Sequence, residues 1–231
     1  MLILGIESTA KAASAGIVRE GALIGQYCQC SGLGHSATLL PMAGNLLSST
    51  GTDKSELDAV AVARGPGSFT GVRIGVAAVQ GLCWALEKPA VGVSTLEAMA
   101  WNGVNRGEGA LVCCCMDARR SQVYNALFTV GDGKPGRLVP DGAISLEELA
   151  ADLAARAETP FLVGDGAMLV SEYLTDRAMR SALAAGPMLH QSAWGVCMAA
   201  MGKEPESAGA LLPVYLRLPQ AERERQARLS G

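Results

Sequence analysis

The chain has 231 residues, 49% of them hydrophobic and only 18% charged, with a formal net charge of −3. That composition excludes a disordered chain, and the mildly acidic balance speaks against a nucleic-acid footprint spread over the whole surface. No basic segment precedes the apolar start at Leu2–Ile6, and no uninterrupted apolar stretch reaches membrane-spanning length, so the expectation is a cytoplasmic protein with no membrane segment.

Three strand-like runs, Leu2–Ser8, Ala13–Arg19 and Ala22–Cys30, open the chain as a meander with short turns. A helix over Ala37–Thr50 follows, then the apolar, Val-containing strand Ala59–Ala63. After the turn at 65–67 a helix runs to Leu86, a short strand covers Ala90–Val93, and Thr95–Asn105 reads as helical. A second set begins near residue 110. Ala110–Met116 and Gln122–Val130 are strands joined by the turn Asp117–Arg120, and a weaker strand lies near Gly136–Pro140. Ser145–Ala157 has a helical pattern, with Ser145 as N-cap and Glu148 completing a capping box. Pro160–Val163 is a buried strand closed by Gly164-Asp165-Gly166, and His190–Met201 is a last helix. A βββαβα order thus occurs twice, which predicts an α/β chain of two actin-like lobes over residues 1–105 and 106–219, with a charged tail over 220–231.

Seven cysteines are present, three of them consecutive as Cys113-Cys114-Cys115. Strand neighbours point to opposite faces, so these three do not converge on one metal. Cys28 and Cys30 share a face but lack a second pair at zinc-site spacing, and buried reduced thiols are the expectation.

The densest motif is GPGSFTGVRIG at 65–75, between a strand and a helix. Gly65 and Gly67 permit a sharp bend that uses positive φ, and Ser68 or Thr70 can cap the helix. Strand, glycine turn and helix N-terminus form a geometry that cradles phosphate, which makes Gly65, Gly67 and Ser68 candidates for an anion site. The segment matches neither dinucleotide nor Walker spacing, so a tight connection for close packing is the competing reading. From Gly71 to Leu86 the only charged side chain is Arg73, and Ala37–Thr50 carries no charge. Either both helices are deep core, or they present a surface to another subunit. Gly71, Gly75 and Ala78 form a smooth line. Each interior glycine costs about 1 kcal/mol against alanine, so the line implies close backbone approach.

GPGSFTGVRIG, Gly5–Thr9 (GIEST), Ser94–Glu97, Asp117-Ala118-Arg119 with Val123-Tyr124, and Pro213–Arg217 (PVYLR) together resemble the bacterial TsaB family, also called YeaZ, over residues 1–217. The resemblance implies an actin-like fold and a part in making threonylcarbamoyladenosine in tRNA. It implies a catalytically inactive relative of the TsaD transferase that pairs with TsaD, with the ATPase TsaE joining and tRNA met only through the complex. Active relatives hold a metal with two histidines at H-x-x-x-H spacing; here His35 is followed at the second position by Leu39, and His190 stands alone. In ATP-binding members of this fold the first hairpin presents an acidic and small hydroxyl residues to phosphates. Glu7, Ser8 and Thr9 occupy that place, either for residual ATP or ADP binding or as a polar strand end. No cofactor is required on this reading. The expected partner surface comprises Leu39, Leu40, Leu46 and Leu47 with Gly71, Val72, Gly75, Val76, Ala78 and Val79, and the same surface is expected to form a homodimer. The rival functions are an ATP-dependent phosphotransferase or ATPase of the same fold, or an M22-type peptidase. The sequence offers no general base, nucleophile or metal set for either.

Overall fold

The computed structural model describes residues 1–217, so the charged tail expected over 220–231 lies outside the described residues. Strands β1 (Leu2–Glu7), β2 (Ala13–Arg19), β3 (Ala22–Gln29), β4 (Ala59–Ala63) and β5 (Ala90–Val93) form one sheet in the order β3-β2-β1-β4-β5. β1, β2 and β3 pair antiparallel, whereas β1, β4 and β5 pair parallel. Strands β6 (Leu111–Arg119), β7 (Gln122–Gly131), β8 (Lys134–Ser145), β9 (Phe161–Val163) and β10 (Ala182–Leu183) repeat that order and those senses as β8-β7-β6-β9-β10. The duplication read from the sequence is therefore a duplication of sheet topology.

Alternation along the strands decides which helices cover which face. Leu2, Leu4 and Ile6 of β1 and Val60 and Val62 of β4 point to helices α1 (His35–Ser49) and α2 (Phe69–Leu86). Ile3, Ala59, Ala61 and Ala63 point the other way, to α3 (Thr95–Ala100) and the later helix α6 (Ala193–Ala200). On the second sheet, Leu111, Cys113 and Cys115 face α4 (Leu146–Ala154) and α5 (Ala167–Thr175), while Val112, Cys114 and Met116 face Leu96, Met99 and Ala100 of α3. Helix α3 is thus shared, with Ala98 in the core of the first sheet and its neighbours in that of the second. Its continuation, expected as helix to Asn105, is a 3₁₀ stretch over Trp101–Arg106.

Two expectations need correcting. The helix that completes the second βββαβα unit is α5, not the last helix. Helix α6 begins at Ala193 rather than His190 and packs on the first sheet, where the paired glycines Gly5 and Gly16 leave a smooth track beneath it. A Cβ on Gly5 would stand 2.6 Å from Cys197 Sγ and 2.7 Å from the Ala193 carbonyl oxygen. The segment after α6 also returns to the first sheet, with Glu206 bridging Ala90 at the edge of β5, so the chain beyond 193 packs with the N-terminal strands. Helix α2, with 18 residues, has a length and apolarity that reach the range of a membrane span; Val72, Val76, Val79 and Cys83 are instead packed on the sheet. All seven cysteines are free, and Cys113 to Cys115 alternate between the two faces of β6.

Candidate functional site

A cleft of about 500 Å³ opens between the two sheets, at the ends of β1, β4, β6 and β9. The first sheet contributes Thr9, Lys11, Gly67, Ser68 and Phe69, the second Asp117, Arg119, Tyr124 and Asp165, and the segment Val214–Arg217 forms one side. The turns after β4 and β9 correspond in the duplicated topology, and Gly65 and Gly164 have nearly the same backbone, φ +118° and +107°. A Cβ at either would run into a carbonyl oxygen, of Val214 or of Cys115 respectively.

The first-hairpin candidates divide across this cleft. Thr9 lines it, but Glu7 and Ser8 lie behind it. Glu7 is fully buried, and its Oε1 accepts from the Thr9 backbone N–H and the Thr9 hydroxyl, each at 2.6 Å. Oε2 is buried without a hydrogen-bond partner. Burial pushes the carboxyl up to about 7, against the lowering effect of the Thr9 bonds. Ser8 points to the opposite face and donates to the Gly71 carbonyl at 2.9 Å. The acidic carboxyl is therefore held behind Thr9 rather than exposed in the cleft. Gly67, in the turn between β4 and α2, packs on the β1–β2 hairpin, since a Cβ there would come within 2.6 Å of the Thr9 carbonyl oxygen. Of the two readings of this hairpin, the bonds made by Glu7 and Ser8 are those of a polar strand end. Gly65, the positive-φ residue of the turn, is covered by Val214, and Ser68 caps α2 by accepting from Gly71 N–H at 3.3 Å.

Sequence reasoning missed Asp165 as a cleft residue. Burial raises its carboxyl, and the Gln191 amide that donates to it at 3.3 Å offsets part of this. The signal available was the duplication itself, which places Gly164-Asp165-Gly166 where Gly65-Pro66-Gly67 stands. His35 Nε2 donates to the Ala10 carbonyl at 2.8 Å, and Leu39 one turn on is buried in the core. Among the described residues no group of three His, Cys, Asp or Glu side chains is placed to hold a metal.

The second candidate site, the face of α1 and α2, also needs correcting. Leu39, Leu46, Gly71, Val72, Gly75, Val76 and Val79 are buried within this chain, so they cannot meet a partner. Cβ atoms on Gly71 and Gly75 would collide with the Ser8 carbonyl and hydroxyl oxygens; the close approach is to β1. Leu40 is 46% exposed, and Leu47 and Ala78 are half-buried. The outward stripes run instead through Ala37, Leu40, Pro41 and Gly44 on α1, and Ala77, Gly81 and Trp84 on α2, with Trp84 67% exposed. A Cβ on Gly44 or Gly81 would meet nothing within 4 Å, and neither has positive φ. Nothing among the described residues requires glycine at either position.

A Bacillus subtilis protein named tRNA threonylcarbamoyladenosine biosynthesis protein TsaB is 32% identical over 224 residues, 96% of this chain and 96% of its own length. The chain belongs to the TsaB family. The TsaB of Escherichia coli is 38% identical over 128 residues, 55% of each chain. The solved structure of YeaZ from Pseudomonas aeruginosa superposes with a TM-score of 0.77 at 30% identity, covering 93% of this chain and 99% of that one. Residues 30–161 also match the family model described as TsaD, tRNA N6-adenosine threonylcarbamoyltransferase. The fold is the actin-like α/β fold. For component A of the (R)-2-hydroxyglutaryl-CoA dehydratase of Acidaminococcus fermentans, at a TM-score of 0.50 and 12% identity, the likeness concerns that fold alone.

Proposed function

We propose that this TsaB-family chain is a non-catalytic subunit in the formation of threonylcarbamoyladenosine in tRNA, acting by pairing with a TsaD-like transferase. The observation that carries the reading is the outward face of α1 and α2. It is uncharged apart from Arg73, it exposes Leu40 and Trp84, and it keeps two glycines that the fold does not need. An exposed helical glycine costs about 1 kcal/mol against alanine, and close approach by a helix of another subunit accounts for keeping it. Arg73 does not spoil the face, because its guanidinium lies 3.9 Å over the Phe69 ring and its Nε donates to the Tyr215 hydroxyl. The match of residues 30–161 to the TsaD model supports a partner with equivalent helices, and in the partner's absence the same face closes a homodimer. A TsaE-like ATPase joins the pair, tRNA is met through the complex, and the setting is the cytoplasm.

The reading without catalysis is supported by the burial of Glu7 and by Leu39 standing at the second position of the histidine pair. A second reading, weak ATP or ADP binding without turnover, is favoured by the cations Lys11 and Arg119 in the cleft wall. The deciding experiment is co-expression with a TsaD-like transferase, followed by reconstitution of tRNA modification with and without this chain. Co-purification and dependence of modification on this chain are expected. Full modification in its absence would overturn the proposal.

A further inference from the structure

Pro213–Arg217 touches both halves of the molecule. On the first half, Leu211 is buried in the core of the first sheet and its carbonyl accepts from Gln80 Nε2 at 3.0 Å. Val214 N–H donates to the Arg64 carbonyl at 2.7 Å, seated over Gly65, where any Cβ would strike the Val214 carbonyl oxygen. The Tyr215 ring packs 4.8 Å from that of Phe69, and its hydroxyl accepts from Arg73 Nε at 2.9 Å. Two residues further on, the Arg217 guanidinium crosses to the second sheet and donates to the Ala118 carbonyl at 2.6 Å. That carbonyl precedes a β6–β7 turn in which Arg119, Arg120 and Ser121 all have positive φ, a conformation such residues hold only under outside support.

We propose that Pro213–Arg217 is a strap across the mouth of the cleft, with Val214 and Tyr215 as its anchor on the first sheet and Arg217 as its latch on the second. The glycine turn and the C-terminal motif are then one device. Gly65 is the seat that lets the strap lie flat, and the strap sets how far the β6–β7 turn stands from the start of α2. The guanidinium suits the latch because it is a cation that presents several donors, so its bond to a carbonyl is charge-assisted. A ligand entering the cleft passes a wall made of Val214, Tyr215, Leu216 and Arg217. The strap belongs to the folded chain and does not depend on the pairing proposed above.

The test is amide hydrogen exchange on the full chain, read by peptide. Arg217→Ala is expected to raise exchange in the 117–122 turn about tenfold or more, while peptides in β1 and over residues 111–116 of β6 stay unchanged. Tyr215→Ala, which releases the anchor, is expected to accelerate 213–217 and, through the lost latch, the same 117–122 turn. The double variant is expected to add less than about threefold at the turn, because the two residues act as one unit. No change in the turn on Arg217→Ala would overturn the strap. So would a turn insensitive to Tyr215→Ala, or full additivity, since either separates anchor from latch. Equal acceleration of β1 and of residues 111–116 would mean that the segment is part of the core, which also overturns it.

Discussion

Replacing Gly81 with arginine should make the isolated chain more stable and its pairing weaker. In most proteins a residue that matters to an interface cannot be changed to a long charged side chain without some cost to the monomer. Gly81 escapes that because it is exposed, lies inside an 18-residue helix, and has open space where a side chain would go. Glycine to arginine in an exposed helix interior gains about 0.8 kcal/mol of helix propensity. For a chain of this size that corresponds to a rise in Tm of roughly 2–3 °C. Against a partner helix at close range, the same arginine buries a charge with no counter-charge, a penalty of several kcal/mol. About 3 kcal/mol is a little over a hundredfold in Kd. Thermal melts of the isolated chain, sedimentation for the homodimer and calorimetry with the transferase measure the three quantities. Gly81→Ala separates size from charge, since it should give the same stabilisation with a smaller loss of pairing. A melt that falls by several degrees on Gly81→Arg would mean that this side of α2 is packed within the chain. Unchanged pairing would place the interface elsewhere.

On the opposite side of the same helix the sign reverses. Gly71→Ala drives a methyl group into the Ser8 carbonyl, so a loss of about 1–3 kcal/mol and a Tm lower by several degrees are expected, read by the same melts. Glu7 makes stability depend on pH: its carboxyl rises from 4.5 to about 7 on folding, so the folded chain holds the proton more tightly. The contribution is fully present below 4.5, declines as the pH rises, and is gone above about 7; it is on the order of 3 kcal/mol at most. Urea melts at pH 5 and pH 7.5 should therefore differ less for Glu7→Gln than for the parent, and parallel profiles would refute the assignment. Ser145→Ala removes the capping box that Ser145 and Glu148 form at α4, and should cost about 1 kcal/mol in the same melts.

Much of the fold could be read from the sequence because its strands declare themselves. Ala59–Ala63 and Ala90–Val93 are apolar runs between clear breakers, and the structure has them with those ends. Strand β8 was expected only over Gly136–Pro140 but spans Lys134–Ser145. Its glycines and prolines weaken the local signal, and pairing with β7 along one edge overrides it. Helix α5 went unread because it starts at Gly166 with no side-chain cap, directly after a glycine turn that looked like an ending. Long-range contacts left no trace at all. Nothing local to Gly65 shows that Val214 will sit on it, or that a family signature near the end of the chain will close the cleft that begins there.

The helix α2 shows why a motif can be read correctly and still be assigned to the wrong neighbour. A line of small residues at Gly71, Gly75 and Ala78 does mean close approach, but small side chains carry no information about what approaches, and at Gly71 and Gly75 the answer is Ser8 of the same chain. Lack of charge was equally ambiguous, since core and interface both exclude it. The structure shows one of the two readings, deep core, on one side of the helix and leaves the other side exposed. Val72, Val76 and Val79 face the sheet, and Ala77, Gly81 and Trp84 face outward. What separates them is a comparison that sequence alone does not permit. A glycine whose missing Cβ would collide is explained by its own fold. A glycine whose missing Cβ would meet nothing is not, and Gly44 and Gly81 are of that second kind. Their cost to the helices is set by propensity and no neighbour among the described residues offsets it, which is why the outward stripe, rather than the buried line, is where a partner should be sought.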